Sequence, residues 1–216
     1  MLDRLRSVAA NSFVRAVGVL VGGTALAQVV LGLTLPITTR LYSPADFSVL
    51  AVFAGIVSIL SVSICLRYDI AVALPEDARD GAAMVLLASG LAAGLSLLVA
   101  VPIVVAPGWS ARLIGQPALA PWLWLAPAAS FLAGAYSTLQ FWYVRNKRFG
   151  VIARNRVVQA FAGSAAQIAF GLAQAGPVGL LLGQTVNSGA GALRLGYRFL
   201  HERHARAGSE PARIVR

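Results

Sequence analysis

Few side chains in this sequence could do chemistry. Of 216 residues, 18 are Lys or Arg, 8 are Asp or Glu and 2 are His. The groups that stand out are polar residues set within apolar runs or at their ends. Gln28, Gln140, Gln159, Gln167, Gln184 and Asn187 fall inside the runs, and Arg40, Arg67, Tyr68, Asp69, Arg145 and Arg154 stand at their edges. A carboxamide donates and accepts hydrogen bonds, so it can meet a hydroxyl from either direction. An arginine adds a permanent charge and a fork of donors. Two readings are open for the carboxamides: hydrogen bonds between neighbouring helices, or the lining of a hydrophilic cavity that admits hydroxyl groups. Gln159 and Gln167 are eight apart and share one helix face. The edge residues are either snorkelling side chains or groups at a cavity mouth. Arg67 and Asp69, two apart, do not face each other on a helix, so each needs a partner elsewhere.

Catalytic signatures are missing from the sequence. It has no HExxH, no paired-cysteine motif, no P-loop and no Gly-x-Ser-x-Gly. His201 and His204 have no third ligand in view, so no metal site is expected, and no cofactor. Cys65 is the one cysteine and lies in an apolar run, which suits a small packing residue and rules out an intrachain disulfide. The expectation is a protein that is not an enzyme.

The elements that hold these residues follow from composition. The chain is 58% hydrophobic and 12% charged, with mean hydropathy +0.75. Soluble domains carry about 25% charged residues, so the solvent here is lipid. The net charge of +10 sits in short clusters between apolar runs, with no extended basic face, which excludes nucleic acid. An uncharged run from Phe47 to Leu66 is long enough, at about 1.5 Å per residue, to span a bilayer core of roughly 30 Å. Ser43 caps it, Pro44 takes the first helical position and Asp46 follows three residues after the cap. The tail from Arg67 to Pro75 is expected to continue as helix. An all-α, polytopic membrane protein of six transmembrane helices is expected, over about 16–39, 46–66, 81–106, 121–144, 157–174 and 178–197. These form one lobe, 1–200, followed by a basic cytoplasmic tail, 201–216, disordered past Ala205. The basic loop 145–156 lies between the fourth and fifth crossings. Both termini fall inside, because the Lys and Arg residues then lie almost wholly on the cytoplasmic side, with Arg40 and Arg112 outside. No acid lies mid-membrane, which argues against a carboxylate proton relay.

The segment Thr39-Arg40-Leu41-Tyr42-Ser43-Pro44 with Asp46-Phe47, then Leu66-Arg67-Tyr68-Asp69 and Leu74-Pro75, resembles the N-terminal region of the bacterial O-antigen and exopolysaccharide flippases. These polysaccharide biosynthesis proteins belong to the multidrug/oligosaccharidyl-lipid/polysaccharide exporter superfamily. The likeness covers nearly the whole chain, with its sharp motifs in 39–75; Ser48 stands where the family commonly has glycine. The resemblance implies a carrier of lipid-linked oligosaccharide across the bacterial inner membrane by alternating access between two lobes. Members usually have twelve or more crossings, so this chain resembles one lobe. It is then a truncated product, a half that pairs with a separately encoded second lobe, or a homodimer. The substrate-cavity candidates are Arg40, Arg67, Tyr68, Asp69, Gln28, Gln140, Arg145 and Gln159, and the partners expected are lipid-linked oligosaccharide and the bilayer. The competing expectation is a non-transporting membrane protein that serves as a scaffold in glycan assembly.

Overall fold

The computed structural model describes residues 2–72, 74 and 77–209, with side chains for 14–72, 74, 77 and 80–202. All regular structure among them is helical. The order is α1 (Leu2–Leu41), α2 (Pro44–Ile64), α3 (Tyr68–Ala71), α4 (Ala78–Val105), α5 (Pro107–Leu113), a 3-10 segment (Pro117–Trp122), α6 (Leu125–Arg145), α7 (Phe149–Leu172) and α8 (Pro177–Ser209). Three of these are long and apolar enough to cross a membrane, over Val14–Leu41, Pro44–Ile64 and Asp80–Val105. Their apolar windows are only 6%, 22% and 22% buried, so most of that hydrophobic surface faces outward, where lipid alone could cover it. By contrast, α6, α7 and α8 pack on one another and form the centre, with α1 laid against α7 and α2 and α4 against α6.

Local sequence explains the helix ends. Before α2, Ser43 Oγ accepts from the Asp46 N–H at 3.2 Å and the Ser43 N–H donates to Asp46 Oδ2 at 2.9 Å, a reciprocal capping box. Tyr42 is buried beside it and its hydroxyl donates to the Gln167 carbonyl at 2.7 Å, tying the α1–α2 turn to α7. Burial, and then the Asp46 carboxylate, push this phenol above its usual range, so the hydroxyl stays protonated and keeps donating. At the end of α6, Lys147 turns left-handed at φ 53°. Its N–H donates to Val144 and that of Arg148 to Tyr143, which closes a Schellman motif on a non-glycine residue. Gln174 does the same for α7 at φ 54°.

Three expectations change. The second crossing does not run on as helix into Pro75. Leu66 and Arg67 take φ of 44° and 59°, which ends α2 and starts the separate turn α3. The basic loop is shorter than 145–156, because α7 already begins at Phe149, so Arg154 and Arg156 are helical. Finally, α8 continues through the expected tail to Ser209, with no disorder from Ala205 to that point. The side chain of His204 and residues 210–216 lie outside the described residues, as do Pro75 and Glu76.

Small residues set the spacing at the centre. A Cβ on Gly23 of α1 would lie 2.8 Å from Ala153 Cα, and one on Gly183 of α8 would lie 3.2 Å from both the Gln167 nitrogen and the Gly163 oxygen. Backbones approach this closely only where glycine supplies no side chain, the usual device for helix association in lipid.

Candidate functional site

A partly open cavity of about 360 Å³ lies among α1, α6, α7 and α8. Each wall is one helix face. From α1 come Thr24, Ala27, Gln28 and Leu31, at helical spacing. From α6 come Ala133, Tyr136 and Gln140, and from α7 Arg156, Gln159 and Ala160. Asn187 and Ser188 of α8 complete it. The α1 residues sit midway along the Val14–Leu41 apolar span, so the cavity is at the depth where lipid is least polar.

Arg156 dominates its electrostatics. Its Nη1 donates to Thr24 Oγ1 at 2.7 Å, while the Thr24 hydroxyl donates to the Leu20 carbonyl at 2.8 Å. The hydroxyl proton is therefore turned away and a lone pair meets the guanidinium. Arg156 also lies against the Tyr136 hydroxyl. No carboxylate lines the cavity, so the positive charge is not neutralised from the wall. Around it stand the carboxamides of Gln28, Gln140, Gln159 and Asn187. The arrangement can bind a guest rich in hydroxyls, and it favours one that carries negative charge. It holds no nucleophile–base pair. Among the described residues no group of His, Cys, Asp and Glu is placed to hold a metal ion.

Three sequence candidates, Gln28, Gln140 and Gln159, meet in this cavity. Five do not. Arg40 is exposed in the last turn of α1, and Arg67 and Tyr68 are exposed at the α2–α3 break. Arg145 lies over the Trp142 ring at 5.5 Å and its Nη2 donates to the Asp77 carbonyl at 2.9 Å, which fastens α6 to the start of α4. Asp69 is 8% exposed and its Oδ2 accepts from Ser137 Oγ at 2.7 Å, so it anchors α3 to α6. The two readings of the glutamines turn out to coexist. Gln159 lines the cavity and also packs over Gly191, whereas Gln167 packs over Gly183 away from it.

Arg156, Tyr136 and Thr24 were not singled out by the sequence. Arg156 stands at the end of a basic run and reads as a loop residue. The signal that could find it is spacing: it precedes Gln159 by three, which places both on one helix face once α7 is started at Phe149.

The family model for polysaccharide biosynthesis proteins matches residues 37–201. This chain belongs to that family. Membership points to a role in polysaccharide synthesis or export, in a membrane protein. No curated protein and no solved structure matches. The match covers the α6, α7 and α8 walls of the cavity, while the α1 wall, Thr24 to Leu31, precedes it. A cavity in such a family was expected between two lobes. The one described here is walled by this chain alone.

Proposed function

We propose that this chain acts as a flippase lobe, moving lipid-linked oligosaccharide across the bacterial inner membrane by binding and not by covalent chemistry. The observation that carries the proposal is Arg156, a cation at mid-helix depth in a carboxamide-lined cavity with no acid on its walls. An ionisable residue at that depth is costly and marks a substrate path by default. The carboxamides suit sugar hydroxyls, and the guanidinium suits an acidic sugar or a phosphate. Six crossings with both termini in the cytoplasm belong to this reading: α1, α2 and α4 are apolar enough by themselves, and α6, α7 and α8 would cross as their packed core. A second lobe, from another copy or another chain, also belongs to it and would alternate access to the cavity.

The test is surface polysaccharide in a strain that depends on this chain. Arg156→Ala should abolish it while the protein stays in the membrane fraction, and Arg156→Lys should keep part of it, since a point charge replaces the fork. Normal polysaccharide with Arg156→Ala would sink the transport reading and favour the scaffold, which has no use for a charged cavity.

A further inference from the structure

A second group of arginines stands outside the cavity. Along the α7–α8 contact, Asn155 Nδ2 donates to the Gly191 carbonyl at 3.5 Å, and Gln159 packs on Gly191. The helices run antiparallel there, so Arg154 of α7 and Arg194 of α8 come to one level. Arg198 follows Arg194 on the same face, one turn on. Arg154 and Arg198 both lie close enough to repel the Arg194 charge. Like charges gathered this way destabilise the fold unless something answers them. Nothing in the chain does so: among the described residues none of the three has an acidic partner, and Nη1 of Arg194 is buried without any acceptor. The nearest acid on that face of α8, Glu202, is paired with Arg148.

Depth identifies the missing partner. Arg194 lies seventeen residues beyond Pro177, the start of α8, or about 26 Å along the helix, close to the roughly 30 Å of a hydrocarbon core. On the membrane arrangement proposed above, on which this inference rests, that is the cytoplasmic interface, where lipid phosphates lie. Buried guanidinium nitrogens at that level match phosphate oxygens in charge and geometry.

We propose that Arg154, Arg194 and Arg198 form a phosphate site in the crevice between α7 and α8, which takes the phosphate of a lipid headgroup. Two lipids present that chemistry at this depth: an ordinary anionic phospholipid, and an isoprenoid diphosphate of the kind that carries a saccharide. The site is separate from the Arg156 cavity, so binding here does not require transport.

The test uses the full chain in neutral detergent micelles, with retained ligand read by native mass spectrometry. The probes are dioctanoyl phosphatidylglycerol, farnesyl diphosphate and, as the zwitterionic control, dioctanoyl phosphatidylcholine. At least one of the first two should be retained over the control. The Arg154→Gln/Arg194→Gln pair should weaken it about tenfold, the loss of one good charge-assisted contact. Arg112→Gln, a change in α5 far along the chain, should leave it unchanged. Preference for farnesyl diphosphate assigns the site to the isoprenoid carrier, and equal retention assigns it to bulk lipid. If neither anionic probe exceeds the control, or if the double variant binds as the parent does, the site does not exist. Arg154→Gln alone, at an exposed position, guards against a folding defect and should already weaken retention. The assay measures no translocation, so a failed flippase reading leaves its outcome standing, and the reverse.

Discussion

Arg156 and Asp69 are the two charged side chains drawn deepest into the structure, and they are held in opposite ways. Arg156 has a neutral partner, Thr24, and keeps its charge available to the cavity. Asp69 is fastened by Ser137 and keeps one oxygen, Oδ1, buried without a partner. A carboxylate left with a single hydrogen bond depends heavily on it. Ser137→Ala should cost about 1.5–3 kcal/mol, the range for a bond to a charged group, seen as a lower melting temperature in detergent. An unchanged melt would show that Asp69 finds another donor. The sequence separated these roles poorly. Polarity inside an apolar run is visible, so Gln28, Gln140 and Gln159 could be picked out. Partnership is not: Ser137 is sixty-eight residues from Asp69 and carries no mark that singles it out.

At the level of helices, contact is governed by what glycine leaves open. Gly183 lets Gln167 of α7 lie against α8, with backbone atoms of α7 at 3.2 Å from any added Cβ. Gly183→Ala should therefore push the two helices apart at a cost of about 1–3 kcal/mol, measurable as a lower thermal midpoint. The same residues explain why α8 looked like the weakest helix in the sequence. Gly183, Gly189, Gly191 and Gly196 lower helix propensity in water, yet here they form the packing face. Boundaries were readable where a cap marks them, as at Ser43, Pro44 and Asp46. They were not readable at Leu66–Arg67 or at Lys147, where non-glycine residues adopt left-handed backbone that no residue type announces.

For the whole molecule, outward apolar surface divides the helices into two groups. α1, α2 and α4 expose theirs, while α6, α7 and α8 spend much of their surface on one another. Average hydropathy detects the first group easily and the second less well, because helices that line a polar cavity need fewer apolar residues. The membrane class was thus legible from composition alone, and the count of crossings rests on the buried group. A topology test follows. In a Cys65→Ala background, a cysteine at Ser43 should react with an impermeant reagent added outside the cell, and one at Gly150 only after the membrane is opened. The opposite pattern would reverse the orientation.

The size of the cavity carries one more consequence. Its volume of about 360 Å³ corresponds to about twelve waters at liquid density. A space that small receives a short segment and not an entire oligosaccharide, so whatever is admitted is inspected piecewise. Selectivity would then reside in the end of the molecule that enters first, and saccharides that share that end would be handled alike however their remaining sugars differ.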